Sequence, residues 1–272
     1  MTAETIANAR GRREPSGGPN SREALGERVR AGKVAWAWPL LMTFVRLPLI
    51  VAGQLLIAGY FTLTGHATPW GAAANIYFFW VPLTADLGCL LLLAWLTRRE
   101  GLRLRDLIGF DRRRLGRDLL IGLGLAVLWG VIGGVSQMLS GLLVYGSAQP
   151  PPLPVTPPLW TAWWAVLVFP ITVGIIEEMT YRGFALPRLE ALAGRPWLAL
   201  LIMTLGFGLQ HVALPLVNWQ YSLFWCLVSL APGLVYGLIY LKQRRLLPFI
   251  VAHWATGFVI NGLLVLLPLL TG

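Results

Sequence analysis

The chain has 272 residues, of which 56% are hydrophobic and only 12% are charged, and its formal net charge is +10. About a quarter of the residues in a soluble domain are charged, so the composition excludes an ordinary soluble protein and indicates a polytopic membrane protein. The positive charge alone would suit a nucleic-acid partner, but its distribution along the chain has a different explanation.

The first 33 residues differ from the rest of the chain. They are polar, rich in Gly, Arg and Glu, and contain no aromatic residue. Such a segment has too little apolar surface to fold by itself. We therefore predict a disordered basic cytoplasmic tail over residues 1–33 and a membrane-embedded helical domain over residues 34–272.

Seven apolar segments have the length needed to cross a bilayer, which is about 20 residues for a helix. They are Ala35–Thr64, Ala74–Leu96, Leu119–Gly146, Trp160–Thr180, Pro196–Leu214, Tyr221–Leu241 and Leu246–Leu270. The predicted fold is an all-α, polytopic transmembrane helical bundle of about seven spanning helices.

The basic residues alternate strictly between the two sides of these spans. All but Arg46 lie before the first span or in the connections that follow the second, fourth and sixth spans, whereas residues 65–73, 147–159 and 215–220 contain none. By the positive-inside rule, the N-terminus is predicted to be cytoplasmic and the C-terminus external to the cell membrane. Because basic loops next to anionic lipid account for the net charge, we expect membrane lipids as partners and no nucleic acid.

Two adjacent acidic residues near the end of the fourth span are the first candidates for function. A carboxylate at membrane depth is unfavourable unless it is paired or hydrated, so such residues mark functional sites. Glu178 and Arg182 are at positions i and i+4, which favours an ion pair. Glu177 points about 100° away around the helix and has no partner in its own segment.

Two of the three histidines, His211 and His253, lie in later spans. Buried polar groups need partners, so we expect Glu177, His211 and His253 to converge around a water-filled cavity. One feature opposes this convergence. His211 is about 15 residues into its span, roughly 22 Å along the helix axis, whereas Glu177 and His253 lie near the cytoplasmic ends of their spans. Arg46 and Asp86, in the first two spans, are expected to pair and to lock those two helices together.

These residues resemble the motifs of a known family. Residues 177–182 match Glu-Glu-x-x-x-Arg, residues 207–211 match Phe-x-x-x-His, and His253 provides the histidine of a third motif. Together they resemble the type II CAAX prenyl endopeptidase and bacteriocin-processing family, called CPBP or Abi. The resemblance covers roughly residues 160–261, which we take as the catalytic core.

The resemblance implies intramembrane peptide-bond cleavage that depends on a glutamate. Glu177 resembles the glutamate that activates water, and His211 resembles the histidine that shares this water. His253 resembles the histidine that stabilises the oxyanion. Glu178 and Arg182 resemble the supporting pair, and Phe207 is the first residue of the second motif.

The sequence departs from the family at one position. The family commonly has Asn four residues after the last histidine, where this chain has Gly257. Asn261 is the nearest asparagine but lies about 80° off the face of His253. Thr256, on a closer face, is a second candidate donor to the oxyanion.

Three functions remain open at this point. The first is an intramembrane endopeptidase acting on a peptide or protein that is lipidated or otherwise associated with the membrane. The second is a proton-coupled transporter that uses Glu177, His211 and His253 as a relay, and the third is a non-catalytic membrane immunity or scaffold protein. We expect no cofactor, although one glutamate and two histidines are enough ligands for a catalytic zinc ion.

Overall fold

The computed structural model describes residues 18–149 and 154–271, and within these ranges the chain forms helices and no strands. The α-helices are α1 (Arg22–Arg30), α2 (Ala37–Phe44), α3 (Arg46–Leu63), α4 (Pro69–Asn75), α5 (Tyr77–Val81), α6 (Leu87–Arg99), α7 (Leu115–Tyr145), α8 (Leu159–Leu167), α9 (Phe169–Glu178), α10 (Leu186–Ala193), α11 (Pro196–Gln210), α12 (Trp219–Gln243), α13 (Leu247–Asn261) and α14 (Leu267–Thr271). Shorter helical segments join or extend these α-helices. Three of the segments are π-helical (Pro82–Asp86, Met179–Ala185 and Gly262–Leu266), and three are 3₁₀ helices (Leu104–Leu107, Arg112–Arg114 and His211–Ala213).

Six helical stretches in the described residues are long and apolar enough to cross a membrane. They are Arg46–Leu63, Tyr77–Arg99, Leu104–Tyr145, Pro196–Ala213, Trp219–Gln243 and Leu247–Thr271. A seventh crossing is obtained if Leu159–Leu167 and Phe169–Ala193, which are bent by 43° relative to each other, form one broken span. These helices confirm the predicted all-α bundle and indicate a multi-pass membrane protein.

The N-terminal segment corrects one expectation. Residues 1–17 lie outside the described residues, but Arg22–Arg30 form α1 and are not disordered. The hydroxyl of Ser21 caps this helix by accepting a hydrogen bond from the backbone of Ala24. Arg22 of α1 forms an ion pair with Glu190 of α10 at 2.9 Å. Leu25 is buried, so apolar contact and partners from other helices order a segment that composition alone assigns to a tail.

The helix that carries Glu177 continues well beyond the predicted end of its span at Thr180. It runs through the π-helical segment and α10 to Ala193, and Gly194, at φ 62°, turns the chain into α11. Glu177 and His211 are therefore each 17 residues from this turn, on opposite arms of a helical hairpin, or roughly 25 Å along each arm. The predicted difference in depth disappears because the first arm is longer than its apolar segment.

Glycines allow the helices around the site to approach closely. A Cβ added at Gly174 of α9 would lie 3.3 Å from the backbone nitrogen of Trp254, next to His253 on α13. A Cβ at Gly206 of α11 would lie 2.5 Å from the carbonyl oxygen of Thr43 on α2, closer than real Cβ contacts occur. The helix positions in the bundle thus depend on the absence of these two side chains.

We expect Gly206→Ala to lower the free energy of unfolding by about 1–3 kcal/mol, since the added methyl group must push α11 away from α2. Gly124→Ala on α7 is the matched control, because a Cβ there meets nothing within 4 Å. The control should be neutral or stabilising by up to about 1 kcal/mol. Denaturant titration of both variants in lipid–detergent micelles measures the difference, and equal stabilities would contradict the close packing.

Candidate active site

A cavity of about 350 Å³ lies inside the bundle, and its walls contain the polar residues singled out by the sequence. Glu177, His211, His253, Thr256 and Asn261 all line it. Most of the other lining residues are apolar, including aromatic residues from several helices. The structure therefore brings Glu177, His211 and His253 to a common pocket, as either a catalytic or a transport function requires.

Glu177 is 1% exposed, and its two carboxylate oxygens have different surroundings. Oε1 accepts a hydrogen bond from Nη2 of Arg46 at 3.1 Å. Oε2 has no hydrogen-bond partner among the described residues and lies 3.8 Å from Nε2 of His253. One oxygen is thus held and the other is available to a molecule in the cavity.

Glu178 forms the ion pair predicted with Arg182. Its Oε1 accepts from Nη1 of Arg182 at 3.1 Å, and both side chains are fully buried. The same oxygen lies 3.0 Å from Nδ1 of His253. Glu178 therefore faces a cation and an imidazole, and it supports the orientation of His253 while Glu177 faces the cavity.

Phe207 is fully buried and provides a surface for the Arg182 guanidinium. The guanidinium carbon lies 4.4 Å from the centre of the Phe207 ring, within the range of a cation–π contact. Nη2 of Arg182 also donates to the carbonyl oxygen of Gly233 at 3.4 Å. The aromatic residue of the second motif is thus tied to the charged pair of the first motif.

The hydrogen bonds of the two histidines define their free nitrogens. Nδ1 of His211 lies 2.7 Å from the carbonyl oxygen of Phe207, an acceptor, so this nitrogen carries a hydrogen. In the neutral ring, Nε2 of His211 is then an acceptor. Nδ1 of His253 likewise donates to Glu178. If Nε2 of His253 also carries a hydrogen, the ring is a cation.

Thr256 and Asn261 differ in their availability. Nδ2 of Asn261 donates to the carbonyl oxygen of Ala165 on α8 at 2.7 Å. Oγ1 of Thr256 is buried and has no hydrogen-bond partner within the described part of the chain. At the departure from the family pattern, a Cβ on Gly257 would lie 3.0 Å from Cβ of Pro170, so a larger residue there would press on the start of α9.

Arg46 and Asp86 form the predicted pair, with Nη1 of Arg46 2.7 Å from Oδ1 of Asp86. The sequence predicts this pair only as a link between the first two spans and does not predict its contact with the site. Arg46 lines the cavity, contacts Glu177 and donates from Nε to Oε1 of Gln210 at 2.5 Å. The available signal was the presence of an arginine in an apolar span, since such a residue must find a partner.

No group of three or more His, Cys, Asp or Glu side chains among residues 18–149 and 154–271 is arranged to hold a metal ion. Glu177, His211 and His253 share the cavity, and Oε2 of Glu177 lies 3.8 Å from Nε2 of His253.

Comparison with protein families identifies the same segment. A protein-family model described as Rce1-like, Type II CAAX prenyl endopeptidase Rce1-like, matches residues 158–259. The match runs from the residue before α8 nearly to the end of α13 and therefore includes Glu177, His211, His253 and Thr256 but not Asn261. No curated protein and no solved structure matches the chain.

This match confirms the family resemblance drawn from the three motifs. The class defined by the fold and the site is a multi-pass membrane protein with a largely apolar pocket inside its helical bundle, in which a few polar residues converge. Residues 158–259, the segment that contains the site, are similar to a CAAX-type protease family, whose members act on a peptide or protein substrate.

Proposed function

We propose that the chain is an intramembrane endopeptidase that hydrolyses a peptide bond with water activated by Glu177. The observation that carries the proposal is the asymmetry of the Glu177 carboxylate. Oε1 is held by Arg46, while Oε2 is unpartnered in a cavity that also contains His211 and His253. A general base needs such a free oxygen within reach of the water whose proton it takes.

The reaction proceeds in two steps. In the first, Oε2 of Glu177 takes a proton from water, which is also held by Nε2 of His211. The water oxygen attacks the peptide carbonyl carbon, and the electron pair of the C=O double bond moves to the oxygen. In the second, the carbonyl re-forms, the C–N bond breaks, and Glu177 returns the proton to the leaving nitrogen. The products are a carboxyl group and an amine.

The oxyanion formed in the first step needs donors. We assign this role to His253, through Nε2 in its cationic form, and to the hydroxyl of Thr256. The free Oγ1 of Thr256 supports its assignment, whereas the amide of Asn261 already donates to Ala165. Donors aimed at a developing negative charge are usually a large contribution to catalysis.

The apolar lining of the cavity supports a substrate that arrives from the bilayer. We propose a peptide that is lipidated or otherwise held at the membrane, cleaved from the cytoplasmic side on which the N-terminus is proposed to lie. A transporter or a non-catalytic scaffold would use the same pocket without cleaving a substrate. Proton-dependent flux through reconstituted protein that cleaves no peptide would favour the transporter.

We expect Glu177→Gln to lower kcat by about 10²–10⁴, because the amide cannot accept the proton. Cleavage of a farnesylated peptide ending in a CAAX sequence is measured by mass spectrometry in proteoliposomes. The matched control is Glu100→Gln, since Glu100 is also buried and paired with an arginine, Arg188, but does not line the cavity. Undiminished hydrolysis by Glu177→Gln would rule out its role as base.

Thr256→Val should mainly lower the rate, whereas Asn261→Ala should mainly lower the stability. Thr256→Val removes an oxyanion donor, which lowers kcat by about 10²–10³, but it also removes an unpartnered hydroxyl and leaves stability unchanged or raised. Asn261→Ala breaks the hydrogen bond to Ala165 and costs about 1 kcal/mol of stability, with a smaller effect on kcat. The reverse pattern would assign the donor role to Asn261.

We also propose that hydrolysis requires no metal, so that incubation with 1,10-phenanthroline or EDTA leaves kcat unchanged. Elemental analysis of the purified, active protein should then find zinc well below one equivalent. Stoichiometric zinc, together with activity that is lost on chelation and restored by added zinc, would assign the metal to Glu177, His211 and His253.

A further inference from the structure

We infer that Arg46 is a positioning residue for Glu177, and that Asp86 and Gln210 hold it in place for that task. The inference rests on the proposed function of Glu177 as base and adds to it a group from the first span. This span lies outside residues 158–259, the segment that matches the family.

Arg46 is completely buried at the first position of α3, and its guanidinium joins four parts of the bundle. Nη1 contacts Asp86 in the π-helical segment of the second span, Nη2 contacts Glu177 of α9, and Nε contacts Gln210 of α11. Each guanidinium nitrogen therefore has its own acceptor. Because the guanidinium group is planar and its donors are fixed, only one orientation makes hydrogen bonds to all three acceptors.

This arrangement determines which oxygen of Glu177 faces the cavity. Because Nη2 of Arg46 holds Oε1, rotation of the carboxylate about its last bond is restricted and Oε2 stays directed away from the guanidinium. Without Arg46, the carboxylate is free to turn toward His253, whose Nε2 lies 3.8 Å from Oε2. A base that pairs with His253 loses its alignment with the attacking water.

Arg46 also balances the charges around the cavity. The guanidinium groups of Arg46 and Arg182 face three carboxylates, those of Asp86, Glu177 and Glu178. With His253 in the cationic form that its proposed oxyanion role requires, these groups carry three positive and three negative charges. Loss of Arg46 leaves one excess negative charge among buried carboxylates, which weakens the hold on Glu177.

Gln210 extends the effect to the second group that binds the water. It immediately precedes His211, and its Oε1 accepts from Nε of Arg46 at 2.5 Å. The guanidinium thus holds the end of α11 on which His211 lies, as well as the carboxylate of Glu177. Both partners of the proposed water depend on the same cation.

Arg46 is itself held by close packing of α3 against the second span. A Cβ on Gly53 of α3 would lie 2.9 Å from the Trp80 ring. Asp86 ends the π-helical segment that follows Trp80, and its Oδ1 lies 2.7 Å from Nη1 of Arg46. The first two spans therefore provide a rigid frame that presents the guanidinium to α9 and α11.

The test compares Arg46→Ala with Arg188→Ala. Arg188 is the matched control, since it is equally buried and ion-paired, with Glu100, but does not line the cavity. The probe is the same farnesylated CAAX peptide in proteoliposomes, with kcat and KM measured separately. We expect Arg46→Ala to lower kcat by about 10² with little change in KM, because misplacement of the base affects the chemical step more than binding.

Three further measurements distinguish positioning from a merely structural role. Added guanidinium ion should restore part of the kcat of Arg46→Ala and none of that of Arg188→Ala. Arg46→Lys should retain intermediate activity, since the lysine ammonium keeps the positive charge but lacks the planar set of donors that contacts several acceptors at once. In a Glu177→Gln background, Arg46→Ala should cause no additional loss, because without the base the water that Arg46 helps to align is no longer activated.

The outcomes separate this inference from the proposed function. If Glu177→Gln is inactive while Arg46→Ala keeps the wild-type kcat, the inference fails and the base remains. If Arg188→Ala loses as much kcat as Arg46→Ala and guanidinium restores neither, Arg46 is only structural and the inference fails as well. If Glu177→Gln still hydrolyses the probe, the proposed function itself fails.

Discussion

Compensation of buried charge is the constraint on which this bundle depends. Glu177, Glu178 and Asp86 are all almost fully buried, and each lies against a guanidinium from Arg46 or Arg182. Removing one partner from such a pair leaves an uncompensated charge, which is more destabilising than loss of the pair as a whole. The helices that carry these residues must therefore stay together, and the cavity lies beside the Arg46–Glu177 contact.

The path of the Glu177 helix links this constraint to the geometry of the site. The helix bends after α8, passes Glu177 and Glu178, becomes π-helical at Met179–Ala185 and ends at Ala193. π-helical segments frequently occur at functional sites, and here the segment follows directly after the two glutamates. Its extension beyond the apolar run brings Glu177 to the same depth as His211 on the opposite arm of the hairpin.

The departure from the family motif also has a packing explanation. Gly257 lies against Pro170, where a Cβ would come within 3.0 Å of the proline side chain. The close approach of α13 to α9 that positions His253 leaves little room for the side chain that the family usually has there. An unpartnered hydroxyl from the preceding residue, Thr256, is available in the same cavity. Packing and chemistry are thus coupled at neighbouring positions of one helix.

The sequence by itself determined the class of fold, the pairing of Glu178 with Arg182, and the three residues that meet in the cavity. These follow from apolar length, helical periodicity and the cost of burying charge, which are local properties of the chain. Only the tertiary structure decided that Arg46 reaches Glu177, that Asn261 is engaged by Ala165, and that residues 22–30 fold against α10. Those contacts join residues far apart in the chain, and their partners depend on how the helices are packed, which no local pattern encodes.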